Sequence, residues 1–248
     1  MINVNKEYKI VFYDTFQNLD NWNFEHGFVR NNELQYYTNN NVDISNGLKI
    51  YGKKEIIKNE MYNSSSDDWK YNREYGYYTS SSINTKDKFE FKYGVLEVKA
   101  KIPTTSGSWP AIWLMGSEEY WPYSDEVDVM EMYLHGGISV ILGNFMYYDG
   151  KKCIWNTKIV NLDHFTNKDK HWVNKFHVWK LDWQKDYMKI YLDDELINEI
   201  DISKIKDNNF KKKHYILLNL AIGSNGGIPL DEKFPLKYEI EYVKVYQK

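Results

Sequence analysis

Apolar residues recur along the chain at every second position, and no stretch sustains the spacing of an amphipathic helix. Between Tyr93 and Ile102, the apolar Leu96, Val98, Ala100 and Ile102 share one face while Glu97, Lys99 and Lys101 share the other, which predicts a half-exposed antiparallel strand. Trp179, Leu181 and Trp183 alternate with Lys180 and Asp182, and Gln184-Lys185-Asp186 then turns the chain into Tyr187–Leu192, predicting a hairpin. Asp193-Asp194 supplies the next turn, into Glu195-Leu196-Ile197, and Asn46-Gly47 joins Val42-Asp43-Ile44 to the run from Leu48 to Tyr51. Short strands at this spacing, continuing to Tyr242-Val243-Lys244-Val245-Tyr246, predict an all-β antiparallel sandwich. No Gly/Pro/Ser-rich linker interrupts them, so one domain over residues 1–248 is expected. Asn59 to Asn72 is the expected long loop, and Ile202 to His214 is a polar insertion able to hold a short helix.

Composition narrows the partners. Hydrophobic residues make up 42% and charged residues 27%, the balance of a soluble globular protein. A net charge of −3 offers no basic field for nucleic acid or anionic lipid, so neither is expected as a partner. No run approaches the roughly 20 apolar residues of a membrane span, and Met1 to Phe16 has no apolar core of signal-peptide length. Cys153 is the single cysteine, so cysteine usage says nothing of compartment. The 22 Tyr, 9 Trp and 11 Phe reach 17% of the chain, a surplus that suits a wet cleft as well as a core.

The candidate chemistry lies in Ser124-Asp125-Glu126-Val127-Asp128-Val129-Met130-Glu131-Met132-Tyr133. In a regular strand Glu126 and Asp128 share a face and Glu131 points away. A β-bulge near Val129-Met130 would bring all three carboxylates to one face and send the apolar side chains mostly to the other. Three acids in a row repel one another, so the arrangement is costly unless something uses it. An isolated acidic triplet is more often a solvated edge, but retaining glycosidases need two carboxyls about 5–5.5 Å apart, one to attack and one to protonate the leaving oxygen. Asp128 between them could hydrogen-bond the nucleophile and sustain the proton affinity of the acid.

Upstream stands the run from Gly107 to Gly116, with Trp109-Pro110-Ala111-Ile112-Trp113 at its centre. Together with the acidic strand it resembles glycoside hydrolase family 16, the laminarinase and lichenase family. Asn31-Asn32-Glu33-Leu34-Gln35-Tyr36-Tyr37-Thr38, Tyr78-Thr79-Ser80, Ile83-Asn84-Thr85-Lys86, Phe176-His177-Val178-Trp179 and Leu218-Asn219-Leu220-Ala221-Ile222-Gly223 are similar to family segments, in family order. The resemblance implies a β-jelly roll of two curved antiparallel sheets, concanavalin/laminarinase-like, with substrate across the concave face. It implies retention of configuration, with Glu126 as nucleophile, Asp128 as assisting acid and Glu131 as acid/base, in the bulged laminarinase-like branch. Trp109, Trp113 and Trp121 match positions that stack against sugar rings, and Asn31 matches a polar position in the donor subsites. For each Trp taken alone, core packing explains its presence at least as well. A polysaccharide or oligosaccharide partner, a monomer, and action outside the cell or at its surface after removal of an export signal complete the expectation.

The chain departs from the laminarinase pattern at three places. Val29-Arg30 replaces a Trp-Gly pair, Ser82 replaces an Arg, and Leu142-Gly143-Asn144-Phe145-Met146 replaces a His-Gly-Thr-x-His run. Asn31, Ser82 and Asn144 are therefore the candidate sugar-reading side chains. No cofactor is required. A candidate structural calcium site involves Glu241 and the backbone of Gly47, with Thr15 where an acidic ligand often stands. His26, His135, His164, His171, His177 and His214 show no zinc spacing, and Gly223-Ser224-Asn225-Gly226-Gly227 is no phosphate loop. Three readings stay open: an endo-1,3(4)-β-glucanase, an endo-β-galactosidase acting on mucin, keratan or agar-type glycans, and a non-catalytic carbohydrate-binding jelly roll.

Overall fold

The alternation closes into two sheets in the computed structural model, which describes residues 8–206 and 208–248. The start of the Met1–Phe16 stretch and Asp207 of the polar insertion lie outside the described residues. One sheet orders Glu195–Asp201, Tyr187–Leu192, His177–Trp183, Gly94–Lys101, Leu236–Gln247, Leu48–Lys58, Tyr75–Ser80 and Gln35–Tyr37, with Lys9–Asp14 and Val42–Asp43 paired alongside. The other orders Cys153–Asn161, Ile138–Tyr148, Glu126–His135, Ser108–Gly116, His214–Ile222, Ser82–Asn84 and Asn23–Phe24. Neighbouring strands are antiparallel apart from Gln35–Tyr37 against Tyr75–Ser80. This is the expected jelly-roll sandwich.

Side chains from the inner faces interdigitate as one core. Leu96, Val98 and Ala100 come from one sheet, and Ile112, Leu114, Val127, Met130, Met132, Ile216 and Leu218 from the other. Burying each larger aliphatic side chain contributes roughly 1.5–3 kcal/mol. The predicted hairpins form: Trp183 pairs with Met188 across the Gln184–Asp186 turn, and Leu192 pairs with Glu195. Asp193 and Asp194 both take positive φ, 47° and 69°, the two-residue geometry that matches strand twist. Lys180 and Asp182, the polar residues of that alternation, are buried as well. Lys180 Nζ reaches Asp194 at 3.2 Å, and Asp182 accepts from Gln184 at 2.5 Å, so neighbouring polar side chains cover both. Among its described residues the polar insertion holds the single 3₁₀ turn Asn209–Lys211, whose Phe210 is buried.

At the Asn46-Gly47 turn, Gly47 has φ 72°, and a Cβ there would stand 2.7 Å from the Ile240 carbonyl oxygen. At the candidate calcium site Glu241 is paired with Lys99 Nζ at 2.9 Å, and among the described residues no three acidic, His or Cys side chains are placed to hold a metal ion. A calcium ion needs six to eight oxygen ligands.

Candidate active site

The bulge is where the carboxylates require it. Against Ile138–Tyr148, Asp128 pairs with Asn144 and Glu131 with Leu142, so Val129 and Met130 together face Gly143. Against Ser108–Gly116, Ile112 pairs with Met130 and Trp113 with Asp128, again leaving Val129 as the extra residue. Val127, Val129, Met130 and Met132 all enter the core, while Glu126, Asp128, Glu131 and Tyr133 line an open cleft of about 780 Å³ on the outer face of the same sheet.

Fixed donors hold the acids in that cleft. Trp109 Nε1 donates to Glu131 Oε1 at 2.8 Å. Asn144 Nδ2 donates to Glu131 Oε2 at 2.7 Å and to Asp128 Oδ2 at 3.0 Å. Burial, and then the charge of Glu131, push Glu126 up to about 7, against hydrogen bonds from Asp128 and Trp121 and the more distant Arg30 charge. Burial and the charge of Glu126 raise Asp128 well above the usual carboxyl range, which makes it the donor in its hydrogen bond to Glu126. Glu131 is also raised well above that range, by burial first and by Asp128 second, with the Trp109 and Asn144 donors opposing. The site thus holds one carboxyl able to ionise near neutrality beside one that retains its proton, the pairing that nucleophilic and acid chemistry require.

The predicted aromatics divide by position. Trp109 and Trp113 lie in the cleft floor and are largely buried. Their indole N–H groups serve the protein, Trp109 on Glu131 and Trp113 on Asn219 Oδ1 at 2.8 Å. Trp121 is 54% exposed at the rim beside Glu126. Asn31 is in the cleft, donating to Glu33 Oε1 at 3.3 Å, and Asn144 lies between the acids. Ser82 does not line the cleft; it donates to Glu25, which is paired with Arg30.

Several lining residues escaped the sequence reading. Trp155, 47% exposed on the edge strand, forms one end of the cleft. Arg30, Glu33 and Asn219 form the other, where the Arg30 guanidinium lies 5.1 Å from the Trp113 ring centroid. Trp69 and Lys70 reach in from the expected long loop. The departure at Val29-Arg30 was the one sequence signal that this end differs.

The model for glycosyl hydrolases family 16 matches residues 29–244. Over 263 aligned residues the chain is 31% identical to the glucan endo-1,3-beta-glucosidase A1 of Niallia circulans, covering 96% of this chain but 37% of that protein. The chain thus spans about a third of the length of this curated relative. Among solved structures, one described in work on endo-acting O-glycanases, which prominent members of the human gut microbiota express to initiate mucin breakdown, superposes with a TM-score of 0.87 at 31% identity. That superposition covers 98% of this chain and 91% of the other. The laminarinase catalytic domain from Thermotoga maritima MSB8 superposes with a TM-score of 0.80 at 27% identity, covering 98% and 99%. The match over most of the chain, with the bulged acidic strand at its centre, makes this chain a member of glycosyl hydrolases family 16.

Proposed function

We propose that the chain is a retaining endo-β-glycosidase, with endo-1,3(4)-β-glucanase as its leading activity. The observation that carries this reading is the trio of carboxyls on one bulged strand, Glu126 titrating near neutrality and Glu131 holding its proton, inside an open cleft. Glu126 attacks the anomeric carbon as Glu131 gives its proton to the departing glycosidic oxygen, leaving a glycosyl ester on Glu126. Glu131, now a carboxylate held by the Trp109 and Asn144 N–H groups, takes a proton from the attacking water, and the ester bond to Glu126 breaks. Asp128 supports Glu126 throughout by its hydrogen bond. An open cleft accepts a chain internally, and a polymeric substrate implies action outside the cell.

A second reading keeps the mechanism and changes the sugar to galactose. Arg30 lies over the Trp113 ring, so a sugar at this end of the cleft is read through polar groups rather than by stacking on Trp113. Release of reducing ends from laminarin, mixed-linkage β-glucan, poly-N-acetyllactosamine and agarose tests both readings. Cleavage of either glucan supports the first. Cleavage of only the galactose-containing chains supports the second, and absence of cleavage together with tight glycan binding would support a lectin-like module.

A further inference from the structure

The loop between Leu48–Lys58 and Tyr75–Ser80 is built to hold its tip against the cleft. Asn59 Nδ2 donates to the carbonyls of Lys70 and Arg73, each at 2.9 Å, closing the loop on itself. Arg73 then fastens it to the neighbouring segment: its Nη1 donates to the Glu33 carbonyl at 2.8 Å, and its other terminal nitrogen donates to Asn32. The Arg73 guanidinium packs against the rings of Phe28, at 5.1 Å, and Trp69, at 4.9 Å, which also meet each other edge to face at 6.1 Å. This clamp leaves Trp69 and Lys70 as a wall of the cleft, on the side of the catalytic strand opposite Trp155.

The charges at that end are unequal in availability. Arg30 is neutralised by Glu25. Glu33 is buried and accepts from Asn31, Gln35 and Tyr37, so its lone pairs are already engaged. Among the described residues no carboxylate pairs with Lys70, which leaves its ammonium as the cation free to meet a ligand there. Resting on the glycosidase reading, we propose that Trp69 and Lys70 form a subsite for a sugar bearing an oxyanion, either a sulfate ester or a carboxylate. The Trp69 ring lies against the sugar and the Lys70 ammonium meets the anion.

The test is calorimetric binding to the Glu126→Gln protein, which separates recognition from turnover. The probes are hexasaccharides of β-1,3-glucan and of poly-N-acetyllactosamine, each neutral, sulfated at the primary hydroxyl, or oxidised there to a carboxylate. On a backbone that binds, an anionic form should bind roughly tenfold more tightly than the neutral one, as expected for a charge-assisted hydrogen bond. Adding Lys70→Gln should abolish that ratio, and the sulfate and carboxylate arms identify the preferred anion. Equal binding of neutral and anionic forms, a preference that survives Lys70→Gln, or binding of none of the probes would overturn the subsite. Persistence of the anionic preference in a wild-type protein that hydrolyses no glycan would instead overturn the glycosidase reading and leave the subsite standing.

Discussion

Glu126, Asp128 and Glu131 are kept side by side against both burial and mutual repulsion, which raise all three carboxyls above their ordinary range. A carboxyl near 7 in the folded protein and 4.5 when exposed in the unfolded chain binds more protons folded than unfolded between those values, so its cost to stability grows as pH rises through that window. Glu126→Gln should therefore abolish turnover, preserve oligosaccharide binding, and raise Tm at about pH 7.5 by roughly 4–8 °C, corresponding to about 2 kcal/mol. At about pH 4.5 the gain should vanish; a Tm difference that is flat with pH would contradict the account. Glu131→Gln should reduce cleavage of natural glycan far more than cleavage of activated aryl glycosides, whose leaving groups need little protonation. Equal losses on both would remove Glu131 from the acid/base role. In the wild type, kcat/KM should fall as pH drops below about 7, where Glu126 protonates, and should fall again only at clearly higher pH, where Glu131 loses its proton. An acid limb centred near 4 would mean that Glu126 is not held in this environment.

At the level of elements, local rules made much of the fold legible. Alternation places Leu96, Val98 and Ala100 inside, two-residue turn chemistry sets the Asp193-Asp194 hairpin, and Gly47 at φ 72° turns the chain between Val42–Asp43 and Leu48–Lys58. The bulge was legible because three acids cannot share a face across Val129-Met130 without it. The burial of Lys180 and Asp182 was not legible because their cover comes from Asp194 and Gln184, contacts that strand period alone does not reveal. The end of the cleft was illegible for the same reason. Arg30 meets Glu25 and Ser82 through tertiary folding, and Trp69 reaches the site only because Arg73 ties its loop to Glu33 and Asn32. The turn at Gly47 gives an element-level test. Gly47→Ala adds a Cβ that would lie 2.7 Å from the Ile240 oxygen in a left-handed backbone conformation. It should lower stability by roughly 1–3 kcal/mol, read from the urea midpoint, with kcat unchanged for the folded fraction. An unchanged midpoint would show that the turn relaxes without cost.

Across the whole molecule, the sheet that supplies the core on one face supplies the chemistry on the other. Val127 and Met130 anchor the same strand that presents Glu126 and Glu131, so core packing holds the carboxyls in place without help from a mobile loop. The cleft crosses the strands from Trp155 on the edge strand, over the acids, to Asn219 and Arg30, a path suited to a polymer lying across the sheet. Double displacement requires that Glu126 reach the anomeric carbon directly, with no water between them. Proton NMR of the earliest hydrolysate from a cleaved β-glycan tests that requirement most directly. The new reducing ends should appear first as the β-anomer and mutarotate afterwards; first appearance of the α-anomer would rule out double displacement.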